Sequence, residues 1–297
     1  MKKFILCAFC ILLLPELNTV YAQIDNTKLV NQKYVDLDLK GIRAFAKLRL
    51  PEFYTLQVLK KKFDSIPAYA GWTDEKNLGF GARRLKLNKG LGSVTAYIDL
   101  LVFQGRIAYY QLGLDVRGSE LSSAEILTEW RRNGGPPLDF KDNTLILQKN
   151  FGRTWSDYKS VIAQALGPMR HVQITDGLKK SYALLTDPLE NSRITFVACD
   201  DGKPAIDKLE TAQRIDIMEN VLRGYNPGGR IYAAISLLRF ERSGMKLSRV
   251  IRKAIKRVVS LDAEAQTCWG DTGVDGLKAR DIVNEYVTSE DWYLLRR

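Results

Sequence analysis

His171 is the only histidine in the chain, so a catalytic triad would depend on it and a metal site with several histidines is excluded. It follows Gly167-Pro168 after a predicted helix, and no Gly-x-Ser-x-Gly motif supplies a serine nucleophile. A zinc site built from cysteines is excluded as well if the two cysteines considered below are paired. The sequence therefore predicts no bound metal or cofactor, and it favours an exposed or structural loop position for His171.

A pair of carboxylates can hydrolyse a glycosidic bond without histidine, and the separation of the two carboxyl groups defines that chemistry. A hydrolase at the cell envelope that uses two carboxylates is therefore an alternative function for this chain. Asp200-Asp201-Gly202 has the composition of a turn, which favours a structural role for these acids. The acids near predicted turns are Asp99, Asp115, Asp187, Asp200, Asp201 and Asp271.

The segment from Arg249 to Val259 is the most informative for binding. Apolar residues recur at helical spacing from Val250 to Val259, and no acid lies between Lys246 and Arg257. Cations on one helical face repel each other, so an anionic neighbour would relieve the strain; a solvated face screened by salt is the other interpretation. The predicted basic face consists of Arg249, Arg252, Lys253, Lys256 and Arg257.

Five aromatic residues could line a groove for a sugar or a peptide, although aromatic residues in strands more often pack in a core. We favour core packing for them. These residues are Trp72, Tyr97, Phe103, Tyr109 and Tyr110.

Hydrophobic periodicity predicts most of the elements that position these residues. Ser93 to Arg117 has the pattern of a hairpin that turns at Gln104-Gly105-Arg106, and Ser122 with Glu125 forms a capping-box pattern at a helix start. The other predictions are an edge strand at 34–39, a helix from Pro51 to Phe63, a strand at 144–148, a helix at 154–166 and strands at 181–185 and 194–199. Helices are predicted around 215–222, 231–238, 250–259 and 277–287.

This order predicts an α+β protein with two helix-plus-antiparallel-hairpin modules followed by a small α-helical module. The α+β domain would cover 23–206, with the modules at about 51–150 and 151–206. The helical C-terminal module would cover 207–297.

Residues 1–22 have the layout of a signal peptide, with Lys2 and Lys3 before an apolar run and Val20-x-Ala22 as the cleavage site. The run is too short to cross a membrane, and no later run approaches that length. A periplasmic or secreted protein that begins at Gln23 is therefore predicted.

Removal of these residues leaves 43 basic and 33 acidic side chains, a net charge of +10. Such a charge is compatible with an anionic partner, whether acidic protein, lipid headgroups or polysaccharide; nucleic acid is not expected. The two remaining cysteines, Cys199 and Cys268, would close a 69-residue loop by a disulfide, which the chain-entropy model values at roughly 4 kcal/mol. The sequence thus predicts non-catalytic binding or assembly at the cell envelope.

Overall fold

The computed structural model describes residues 31–48, 56–141, 143–189, 193–195, 202–269 and 272–288. Its helices are α1 (31–46), α2 (Leu56–Asp64), α3 (Ser123–Arg132), α4 (Gly152–Leu166), α5 (Asp176–Thr186), α6 (Gly202–Thr211), α7 (Ile215–Leu222), α8 (Pro227–Arg242), α9 (Arg249–Val259) and α10 (Ala279–Thr288). Its strands are β1 (Ala70–Gly79), β2 (Ala82–Gly90), β3 (Thr95–Phe103), β4 (Arg106–Asp115), β5 (Asp139–Lys141), β6 (Thr144–Asn150), β7 (Arg193–Thr195), β8 (Glu264–Trp269) and β9 (Thr272–Lys278). The predicted α+β class is confirmed. The predicted signal peptide lies outside the described residues.

Six strands form an antiparallel sheet in the order β1-β2-β3-β4-β6-β5. The predicted β3–β4 hairpin is confirmed, and Gln104 and Gly105 turn it with positive φ angles of 49° and 79°. Two consecutive positive φ angles match the twist of a tight hairpin. Strands β1 and β2 were not predicted, because the sequence of β1 is polar over most of its length.

One face of this sheet packs against α1, α2 and α3. Phe45 and Phe63 meet at 6.0 Å between ring centroids, and Phe45 meets Trp130 at 5.5 Å. These rings pack with the apolar sheet face, which includes Leu85 and Ile98, in one buried cluster. The capping box predicted for α3 is present, because Ser122 and Glu125 each accept a backbone N–H from the other.

The helices that follow form a second core against one end of the opposite sheet face. Its members include Phe103 from β3, Tyr158 from α4 and Ile231 from α8. Arg230, fully buried at the start of α8, donates to the carbonyl oxygens of Leu78 at 2.9 Å and Gly224 at 3.1 Å. It thereby ties the β1–β2 hairpin to the helices.

Two predicted strands are helical in the structure. Residues 34–39 lie in α1, because the buried residues from 38 to 46 follow a helical rather than a two-residue period. Residues 181–185 lie in α5, where Leu178, Tyr182 and Leu185 recur at helical spacing and pack against the second core. The predicted hairpin of the second module is therefore wrong at its first strand.

A small sheet of order β7-β8-β9 lies among the C-terminal helices. Strands β8 and β9 fall where the sequence predicted only helices, and β7 pairs in parallel with β8 across the predicted boundary at 206. No helix in the described ranges is long and apolar enough to span a membrane.

Candidate anion-binding surface

Helix α9 forms where the sequence predicts it, and the residues at its two ends stabilise its first and last turns. Ser248 caps its N-terminus by accepting the N–H of Ile251 at 3.3 Å, and Lys256 and Arg257 occupy its last turn, where cations suit the helix dipole. Ile251, Ala254, Ile255 and Val258 are buried in the second core, so the predicted burial of the apolar side is confirmed. Val250 departs from that stripe and is 58 % exposed.

The outer side of α9, here called the basic face, carries the predicted cations, all of them exposed. Arg252 pairs with Glu241 of α8, with 2.5 Å between Nε and Oε1. In the described part of the chain, no acid lies within ion-pair distance of the other four. The basic face consists of Arg249, Arg252, Lys253, Lys256 and Arg257.

The C-terminal end of the basic face opens into a groove of about 470 Å³, here called the basic groove. Lys256 lines it from α9, Lys278 and Arg280 line it from the junction of β9 and α10, and the acidic Asp262 lies among them. Asp262 contacts Lys278 and raises the pKa of that ammonium group, so Lys278 stays charged but is partly neutralised. Arg280 lies 3.6 Å from Asp281.

The sequence did not predict Lys278 and Arg280 as part of the surface. Strands β8 and β9 carry these residues back to the end of α9, and neither strand was expected. An isolated pair of cations more than 20 residues from Lys256 in the sequence gives no signal that could have revealed this proximity.

Each candidate catalytic acid that the structure describes interacts with a different partner. Asp99 accepts a bidentate ion pair from Arg84, with Nε 2.9 Å from Oδ1. Asp115 is held by Arg117, whose hydrogen bond lowers the pKa of that carboxyl. Asp187 accepts the N–H of Leu189 at 2.9 Å. The three other candidates, Asp200, Asp201 and Asp271, lie outside the described residues.

His171 is exposed in the loop between α4 and α5, as expected from the sequence. Among the described residues, no group of three histidine, cysteine or acidic side chains could hold a metal ion. Cys268 belongs to β8, and Cys199 lies outside the described residues, so the disulfide remains a prediction.

The five candidate aromatic residues separate into two groups. Phe103, Tyr109 and Tyr110 pack against Tyr158, Trp155 and Phe151 respectively, at 5.5–5.6 Å between ring centroids. Trp72 is 52 % exposed and Tyr97 is half-buried. Core packing thus describes three of the five.

No protein-family model, curated protein or solved structure matches this chain significantly.

Proposed function

We propose that this chain is an exported envelope protein with a non-catalytic binding or assembly role, and that the basic face of α9 binds an anionic partner. The observation that carries the proposal is the charge of that face: five exposed cations lie together, and Arg252 alone has an acidic neighbour among the described residues. The basic groove adds Arg280 at one end of the same surface.

The apolar side of α9 holds the basic face in place before any partner binds. Its apolar side is fixed in the second core, so a partner need not order the helix when it binds. A preorganised surface loses less conformational entropy on association than a disordered basic segment would.

The test replaces three cations at once with Arg252→Gln, Lys253→Gln and Lys256→Gln. All three side chains are exposed, so the fold should be retained. Binding to vesicles that contain anionic lipid should fall by on the order of 100-fold, because each basic residue near such a surface contributes about 1 kcal/mol. Polyglutamate in solution serves as the second probe and distinguishes an acidic polypeptide from a lipid surface.

The matched control removes the same charge elsewhere, with Lys40→Gln, Lys47→Gln and Lys61→Gln on α1, the residue after it and α2. It should bind both probes nearly as well as the unmodified protein. Binding should also weaken between low and physiological salt, because surface charges are screened over about 8–10 Å there. Equal binding by the two triple variants at every salt concentration would contradict a role for the basic face.

A further inference from the structure

The sheet has one face that is only partly covered. The register aligns Trp72 of β1, Asn88 of β2 and Tyr97 of β3 in one row across the strands. The next row contains Lys86 and Gln111. The opposite sheet face is the one buried under α1, α2 and α3, whereas the second core covers this face only at its far end. We call the open part the polar sheet face; it comprises Tyr69, Trp72, Lys86, Tyr97, Gln111 and Gln148, whereas Asn88 and Asp99 in the same two rows are buried.

Aromatic rings give this face a broad apolar surface. Tyr69 is 64 % exposed and Trp72 is 52 % exposed. Tyr69 crosses directly over Gly90, where a Cβ atom would lie 2.7 Å from the ring, and Tyr97 crosses over Gly113 in the same way. The two glycines allow each tyrosine ring to lie against a strand backbone, and the Tyr69 ring also meets Tyr34 of α1 at 6.5 Å between ring centroids.

The polar groups between the rings are already ordered. Gln148 donates through Nε2 to Oε1 of Gln111 at 2.7 Å, and Gln111 donates through Nε2 to Oη of Tyr97 at 2.8 Å. Lys86 places its Nζ 5.7 Å from the centre of the Tyr97 ring. In ligand sites, a few placed polar groups fix the orientation of a ligand that otherwise contacts apolar surface.

The charges of the face select against a strongly ionic ligand. Asp99 is neutralised by Arg84, and Asp74 lies 3.6 Å from Lys76. Lys86 adds one positive charge to these rows, whereas the basic face of α9 carries five cations. A complementary ligand therefore combines neutral hydrogen-bonding groups with apolar faces.

We propose that the polar sheet face binds a β-1,4-linked oligosaccharide, independently of the basic face. One face of a pyranose ring presents C–H bonds, which are attracted to the negative face of an aromatic ring, while its hydroxyl groups lie at the edge and suit amide and ammonium partners. The backbones of Trp72 and Tyr97 are two strand spacings apart, ~10 Å, and the Tyr97 ring lies over Gly113 on the side away from β1, so the two aromatic rings would contact different sugar units of one chain. A β-1,4-linked chain is a flat ribbon that fits an open sheet, whereas an α-1,4-linked glucan curves away from it.

The experiment titrates the full exported chain with chitohexaose, cellohexaose and maltohexaose by calorimetry. At least one of the two β-1,4-linked hexasaccharides should bind more tightly than maltohexaose. Trp72→Ala should weaken that binding about tenfold or more, as truncation of a stacked aromatic anchor does, and Tyr69→Ala should weaken it less. Both side chains are largely exposed, so neither substitution should prevent folding.

Phe140→Ala is the matched control, because Phe140 is 56 % exposed on β5 at the other edge of the sheet and should not affect binding. High salt and the triple variant of α9 should leave oligosaccharide affinity unchanged, which separates this proposal from the proposed function. Absence of binding to both β-1,4-linked probes at millimolar concentration would overturn the proposal, and so would equal effects of Trp72→Ala and Phe140→Ala. A Trp72-dependent dimer in sedimentation would also overturn it, since the face would then bind a second copy of the chain.

Discussion

At the scale of single residues, the buried Glu129 is held by one partner that is distant in sequence and one that is near. Glu129 of α3 is only 7 % exposed, and it accepts hydrogen bonds from Arg43 of α1 at 2.6 Å and from Asn133 at 2.9 Å. The hydrogen bond from Arg43 lowers the pKa of Glu129 below its usual value of 4.5, and burial opposes this change. The carboxylate therefore stabilises the fold only while it is ionised.

Replacement of Glu129 should consequently affect stability in a pH-dependent way. Glu129→Gln should lower the free energy of unfolding at pH 7 by about 1 kcal/mol, a modest value because the Arg43 side chain is half exposed. A lowered pKa in the folded state contributes stability above pH 4.5, and that contribution is lost as the pH falls through the folded-state value. Urea denaturation from pH 7 to pH 3 should thus show the variant and the unmodified protein converging in acid.

The exposed Glu120 provides the control for this measurement. Glu120→Gln should stay within about 0.5 kcal/mol of the unmodified protein at both ends of the pH range. A constant difference between Glu129→Gln and the unmodified protein at every pH would show that the interaction does not depend on ionisation.

At the scale of elements, the sequence predicts best where local signals agree. Helix α3 has both a capping box and an apolar stripe, and α9 has a cap, a stripe and charged residues at its end, so each was located within a few residues. The first six residues of strand β1 are exposed and give no alternating apolar pattern, and its pairing with β2 depends on residues that are distant in the sequence. The same limitation applies to the candidate surface: the basic face was predictable, but its groove was not.

Helix α8 shows how a prediction from local sequence fails when tertiary packing determines where a helix begins. The sequence predicts this helix only from about residue 231, yet Asn226 caps α8, accepting the N–H of Gly229 at 3.0 Å, and Pro227 begins the helix. Proline is favoured in a first helical turn, and Gly229 there allows close packing against Leu185 instead of a chain reversal.

Gly229 should therefore tolerate no side chain. A Cβ atom at this position would lie 1.9 Å from the carbonyl oxygen of Leu185 in α5, so Gly229→Ala must separate the two helices. We expect a loss of about 2 kcal/mol or more in the free energy of unfolding, measured by urea denaturation.

Gly177 in α5 is the matched control, because a Cβ atom there would meet nothing within 4 Å. Gly177→Ala should stabilise the protein by about 0.4–1 kcal/mol through the entropy of the unfolded chain. Similar effects of the two alanine substitutions would show that the α5–α8 contact is looser than the structure indicates.

At the scale of the whole molecule, two cores share one sheet. The first core lies under α1, α2 and α3, and the second joins residues on both sides of the predicted boundary at 206. Arg230 connects the second core to the β1–β2 hairpin. This arrangement leaves the basic face and the polar sheet face on separate parts of the surface, so two binding activities can be tested independently.

The small sheet also bears on the predicted disulfide. Thr195 of β7 pairs with Cys268 of β8, and Cys199 follows Thr195 by four residues. Cys199 itself lies outside the described residues, so the pairing of the two cysteines is a prediction from the sequence. An oxidising compartment would then favour their pairing.

We predict that the protein is exported, begins at Gln23 after cleavage and contains one disulfide. Its intact mass without reduction should equal that of residues 23–297 less two hydrogen atoms, and the unfolded protein should show no thiol reactive toward Ellman's reagent. Cys268→Ser should release one reactive thiol and lower the free energy of unfolding by roughly 4 kcal/mol, because it reopens a 69-residue loop. A mass that includes Met1 would refute the cleavage prediction, and two reactive thiols before reduction would refute the disulfide, each without affecting the other.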